Sequence, residues 1–152
     1  MNRELNQLLR MVQLPLFVWE EAEVSQESQE FTVLGKTVRG VVEKLDTFPL
    51  LDRVQVQLEA LEFTSLCPIT SQPDFGTVTI QYVPKKLGIE SKSLKLYLQR
   101  FRNTGSFCEK LPKIVADRVI ADIDPEHLVV IVTQQPRGGI SITASYEYPE
   151  QE

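Results

Sequence analysis

The chain has 152 residues, of which 16 are basic, 21 acidic and 42% hydrophobic, the proportions of one soluble globular domain with its own core. Its net charge of −5 argues against a whole-surface attraction to nucleic acid or to an anionic membrane. Two cysteines and one histidine are too few for a four-ligand structural zinc site or a disulfide scaffold, and they suit a reducing, cytoplasmic setting.

Leu5, Leu8, Leu9 and Val12 recur at the helical interval, and Pro15 ends that pattern, so the chain is expected to open with a short amphipathic helix. The apolar residues 14–19 are far fewer than the ~18 that span a bilayer. They run into Glu20, Glu21 and Glu23 rather than a small-residue cleavage site, so neither a signal nor a membrane span is expected. Residues 20–30 hold five glutamates, two serines and two glutamines, the composition of a solvated linker. The expected organisation is an N-terminal extension over 1–30 and a single domain over 31–152.

Val54, Val56 and Leu58 alternate with Arg53, Gln55 and Gln57, and Val78, Ile80 and Tyr82 alternate with Thr77, Thr79 and Gln81; both segments read as half-buried strands. A helix over 91–103 carries Leu94, Leu98 and Phe101 on one face. A second begins near Pro112, presents Ile114, Val115, Val119, Ile120 and Ile123, and ends at Asp124 and Pro125. A third strand follows over 127–133. The fourth alternates Ile140, Ile142, Ala144 and Tyr146 with polar residues after a turn through Gly138 and Gly139. Two hairpins with two helices packed on one sheet face define an α+β domain.

Residues 62–76, between the first two strands, are too many for a tight turn and hold Cys67 and Asp74, with Pro68 and Pro73 stiffening the backbone. Cys67 has two readings: a buried structural thiol, or one half of a reactive pair. A thiolate next to a carboxylate is not stabilised by it, so such a pair is expected to share a proton. It would suit addition of sulfur to a polar multiple bond, the thiolate attacking carbon while the acid protonates the atom that gains charge.

Residues 85–113 carry eight basic and two acidic side chains, a local +6 that leaves −11 for the rest of the chain. Lys92, Lys95, Gln99 and Arg102 form a polar stripe on the first helix, either a solvated face or a site for a phosphorylated ligand. There is no G-x-G-x-x-G or Walker sequence, so a nucleotide site of the Rossmann or P-loop kind is not expected. Ser106 and Glu109 have capping-box spacing; alternatively Glu109 accepts hydrogen bonds from a guanidine-like edge.

Residues 63–70 (FTSLCPIT), 72–75 (QPDF), 90–97 (ESKSLKLY), 101–103 (FRN) and 136–140 (PRGGI) together resemble the QueF family of NADPH-dependent 7-cyano-7-deazaguanine reductases, in its short single-module form, over about residues 35–146. The resemblance implies a tunnelling fold assembled into homo-oligomeric stacked rings such as a decamer, with active sites between subunits. It implies that Cys67 attacks the nitrile to give a covalent thioimide, that Asp74 donates the proton, and that NADPH reduces the adduct in two hydride steps to the aminomethyl product of queuosine biosynthesis. Ile89, Glu90, Ser91, Cys108 and Glu109 would contact the deazaguanine. Charge alone adds Lys92, Lys95 and Arg137 as candidates for the cofactor phosphates. Many members have His at the position of Cys108, where a thiol donates only weakly. Rival readings are an amidine-forming transferase acting on the same nitrile, which has no use for NADPH, and a non-catalytic purine-binding module.

Overall fold

The computed structural model describes residues 30–150; the expected helix near residues 5–12 and nearly all of the acidic linker lie outside the described residues. The elements are β1 (Thr47–Pro49), β2 (Val56–Leu66), β3 (Pro73–Val83), β4 (Leu87–Ile89), α1 (Ser91–Gln99), α2 (Leu111–Ile123), β5 (His127–Arg137) and β6 (Ile140–Tyr148), with 3-10 turns at Arg100–Asn103 and Cys108–Lys110. The long strands form one antiparallel sheet in the order β2-β3-β5-β6, and β1 pairs with β4 apart from it. Both expected hairpins are present and meet along β3 and β5.

One face of the sheet is buried. Val78, Ile80 and Tyr82 of β3 and Leu128, Val130 and Val132 of β5 pack in a single cluster with Leu94, Tyr97 and Leu98 of α1, Phe101, and Leu111, Val115, Ala116, Val119 and Ile123 of α2. Removing side chains of this size from water contributes about 1.5–3 kcal/mol each. On the other face Gln81 and Thr133 are exposed, so the helices do lie on one side. Ile114 departs from expectation: it is 43% exposed, because the buried stripe of α2 follows the four-residue step 115, 119, 123, and 114 lies off that line.

The helix ends are fixed locally. The Glu90 carboxylate caps α1 by accepting from the backbone N–H groups of Lys92 (2.7 Å) and Ser93 (2.8 Å), and the Ser93 hydroxyl donates to Glu90 O (2.7 Å). Pro112 sits in the first turn of α2, and Asp124 ends that helix in the left-handed region at φ 42° before Pro125.

The strands run further than the alternation in the sequence suggested. The expected long connection over 62–76 is mostly strand, and only residues 67–72 bridge β2 and β3. Gly76 makes the close approach of β3 to β5 feasible, since a Cβ there would lie 2.5 Å from Thr133 O. Gly76→Ala is therefore expected to destabilise the fold by about 1–3 kcal/mol through overpacking. Thermal unfolding tests this, and an unchanged Tm would contradict the packing.

Candidate active site

The site stands where both long hairpins are interrupted by a bulge. In β2 the register moves by one between Ala60, opposite Val78, and Phe63, opposite Gly76. The even residues Val56, Leu58 and Ala60 are half-buried before the shift; the odd residues Phe63 and Ser65 are buried after it. A bulge inverts which residues face inward, so Cys67, two beyond Ser65, falls on the side of Asp74, which pairs with Ser65.

The 67–72 loop is closed by Cys67 N–H donating to Gln72 O (2.8 Å) and Ser71 N–H to Cys67 O (2.9 Å), with Ser71 left-handed at φ 57°. It is docked against the segment after α1. Leu66 N–H donates to Thr104 O and Ser106 N–H to Leu66 O, both at 3.0 Å, and a Cβ on Gly105 would come within 3.2 Å of the Pro68 Cα. Cys67 is half-buried and unpaired by disulfide.

Its thiol pKa is lowered from the ordinary 9.0 to about 7 by hydrogen bonds from the Thr70 hydroxyl, then from the Thr70 and Ile69 backbone, with Arg137 adding to them. A neighbouring carboxylate was not expected to activate the sulfur; the donors that the loop places around it, not Asp74, favour the thiolate. Thr70 carried no signal beyond its position three residues after a Cys-Pro pair. Thr70→Val is expected to raise the titration midpoint of Cys67 above 7, as read from alkylation rate against pH; an unmoved midpoint would remove the hydroxyl from this account.

Asp74 is buried, its side chain 4% exposed, and Arg137 Nη1 lies 2.7 Å from its Oδ1. This is an ion pair without hydrogen-bond geometry: Oδ1 accepts no hydrogen bond among the described residues. Behind Asp74 is a small cavity of about 10 Å³ whose lining includes Ser65, Cys108 and Gln134. Cys108 is 5% exposed and directs its sulfur at Val132 O (3.8 Å) and Ile142 O (4.0 Å). Burial first, then the neighbouring Glu109 charge, pushes its thiol up, so it stays protonated and is a poor relay. The expected capping box does not form: Phe107, not Ser106, caps the turn, and the Ser106 hydroxyl donates to Phe107 O. Glu109 is left exposed with no hydrogen bond or ion pair among the described residues. Phe75 and Phe107, 53% and 50% exposed, stand next in sequence to Asp74 and Cys108 and add aromatic surface that the sequence reading did not single out.

The remaining expected site residues lie elsewhere. Ile89 is buried in β4, its N–H donating to the Tyr82 hydroxyl at 3.1 Å. Glu90 and Ser91 begin α1, whereas the Cys67 loop docks beyond its far end, roughly 20 Å along the helix and the 3-10 turn that extends it. Lys92 is not free on the basic stripe: its ammonium donates to Val33 O (2.8 Å) and Lys36 O (2.7 Å). Lys95 and Arg102, with Ser91, Leu94, Gln99 and Phe63, line a groove of about 480 Å³ between β2 and α1. One chain thus brings together Cys67, Asp74, Cys108 and Arg137, and keeps Ile89, Glu90 and Ser91 apart from them.

An α+β domain that presents a half-buried thiol whose pKa is lowered to about 7 carries a group suited to nucleophilic chemistry. A family model described as QueF-like protein matches residues 73–152. A curated relative from Frankia casuarinae, named NADPH-dependent 7-cyano-7-deazaguanine reductase, is 43% identical over 118 residues, covering 77% of this chain and 94% of the relative. A protein of the same name from Granulibacter bethesdensis is 42% identical, with 76% and 80% covered. The crystal structure of the archaeosine synthase QueF-Like in its apo form superposes with a TM-score of 0.60 at 21% identity, over 64% of this chain and 96% of that one. The chain belongs to the QueF family.

Proposed function

We propose that the chain reduces the nitrile of 7-cyano-7-deazaguanine to the aminomethyl group with NADPH, through a covalent adduct on Cys67, and so serves queuosine biosynthesis. The observation that carries this is the activated Cys67 thiol on the same face as buried Asp74, in a chain 43% identical to a reductase of that name.

The bond-making step uses only residues of this chain. The Cys67 sulfur bonds to the nitrile carbon, one π pair of C≡N moves to nitrogen, and that nitrogen takes a proton from Asp74, giving a neutral thioimide. The thiol's own proton can pass to Asp74 beforehand, so thiol plus nitrile becomes thioimide with no other reactant. The donors around Cys67 keep the sulfur nucleophilic near neutral pH. Glu109, exposed and unpartnered among the described residues, is suited to accept the paired N–H donors of a guanine-like edge, with Cys108 beneath it. Phe75 and Phe107 offer faces for a planar ring.

The chain's residues fit an anionic dinucleotide. Lys95 and Arg102 present two cations to a groove of about 480 Å³, with Arg137 a further cation near the thiol; Lys92 can join them only by leaving its carbonyl partners. Two molecules of NADPH, bound in turn, would each supply one hydride on the way from the adduct to the amine. An amidine-forming transferase leaves this basic groove without a purpose and is not favoured.

The small cavity behind Asp74 cannot enclose a bicyclic base, and Ile89, Glu90 and Ser91 stand at the other end of α1. Both facts fit a tunnelling-fold ring in which one copy offers Cys67 and Asp74 and its neighbour offers Glu90 and Ser91. Mixing the protein with the nitrile and NADPH and following loss of reduced-nicotinamide absorbance tests the function. Oxidation that requires the nitrile is expected; none would end the reductase proposal.

A further inference from the structure

Arg137 entered as a candidate for a phosphate, yet its surroundings give it another task. In β5 the register moves by one between Gln134, opposite Ile142, and Arg137, opposite Ile140. Leu128, Val130, Val132 and Gln134 are the buried members of this strand, so without the shift residue 136 would face inward and 137 outward. The extra residue inverts that order and turns Arg137 to the side of Asp74. Pro136, which has no N–H for the ladder, is tolerated in such an interruption. Gly138 and Gly139, at φ 59° and 83°, then close the hairpin in two residues as a turn with two left-handed positions requires. Backbone geometry therefore delivers one guanidinium to one place.

There it meets two groups at once. It is 2.7 Å from Asp74 Oδ1 but makes no hydrogen bond to it, so its donors are not committed to a bidentate clamp on the carboxylate. It is also near enough to the Cys67 sulfur to favour the thiolate, the smallest of the effects that lower that thiol's pKa. A carboxylate as buried as that of Asp74 needs a compensating charge, and a thiolate next to an uncompensated carboxylate is disfavoured. We propose that Arg137 is a positioning residue that ties the Cys67 sulfur and the Asp74 carboxylate into one unit, so that nucleophile and acid meet a substrate together. This deepens the reductase proposal and rests on it for the identity of the substrate.

The titratable and charged groups that bear on the pair are Asp74, Arg137, Cys108 and Glu109; Cys108 stays protonated and the charge of Glu109 acts on Cys108. The test uses the full chain without nitrile or NADPH and follows iodoacetamide alkylation of the Cys67 peptide against pH. The wild type is expected to titrate near 7. Arg137→Gln is expected to raise that midpoint by about half a unit or more, at least threefold in proton affinity. Arg137→Lys, which keeps the charge without the fork, is expected to recover most of the midpoint but not the turnover. Asp74→Asn removes a negative charge and frees Arg137 for the sulfur, so the midpoint is expected to fall. A wild-type midpoint in Arg137→Gln, or a rise in Asp74→Asn, would overturn the proposal. Because the readout needs no substrate, shifted midpoints in a protein that never oxidises NADPH would reject the reductase function alone.

Discussion

Cys67→Ala is expected to abolish nitrile-dependent NADPH oxidation, a loss of roughly 10³-fold or more in kcat, while leaving the fold intact. No other side chain can replace the sulfur. Cys108, the second thiol, is 5% exposed and its pKa is raised by burial and by Glu109, so it is neither ionised nor reachable. The substitution is structurally mild because the loop is held by backbone bonds from Cys67 N–H to Gln72 O and from Ser71 N–H to Cys67 O, which alanine keeps. A Tm close to wild type is therefore expected alongside the lost activity. Turnover within tenfold of wild type would show that the sulfur is not the nucleophile.

The second large effect is at Asp74. Asp74→Asn is expected to lower kcat about 10²- to 10⁴-fold, the usual contribution of a positioned acid, with a much smaller change in KM for the nitrile. The pH profile separates the two roles. In the wild type the reacting pair needs one shared proton, so the rate should fall as pH climbs through about 7, where the Cys67 thiol gives that proton up. In Asp74→Asn no proton is shared, so the alkaline fall should vanish and the residual rate should rise with pH as the Cys67 thiolate forms. A wild-type rate flat from acid to alkaline conditions would contradict a mechanism that needs both groups.

The elements that follow simple periodicity could be read without a structure. The alternation of Val78, Ile80 and Tyr82, the helical spacing of Leu94, Leu98 and Phe101, and the two glycines before Ile140 lead to strand, helix and hairpin because each signal is local. The site depends on what is not local. Continuing the inward series Val56, Leu58, Ala60 puts Leu66 inside and Cys67 outside; only the pairing register reveals the bulge that reverses them. The same holds for Arg137, which regular alternation from Gln134 would have placed on the open face.

Long-range contacts explain the other departures. Lys92 lies on the basic stripe as its spacing indicates, but its acceptors, Val33 O and Lys36 O, are 59 and 56 residues earlier in the chain. Glu90 is used as the cap of α1, and Glu109, spaced for a cap, is not. Thr70 acts through a loop whose closure is visible only once Cys67 and Gln72 are seen to pair. Cys67 and Asp74 could be singled out from the sequence and Arg137 only as a cation for a phosphate; the donors that lower the thiol pKa and the contact of Arg137 with Asp74 could not be read there.

The central claim is that the Cys67 sulfur forms a bond to a nitrile carbon. Intact-mass spectrometry of the protein incubated with 7-cyano-7-deazaguanine in the absence of NADPH, followed by peptide mapping, tests it most directly. The account predicts a single adduct at Cys67 heavier by the whole mass of the nitrile, with no leaving group lost, and none in Cys67→Ala. An unmodified wild-type protein under conditions where added NADPH gives turnover, or an adduct at Cys108 instead, would contradict it.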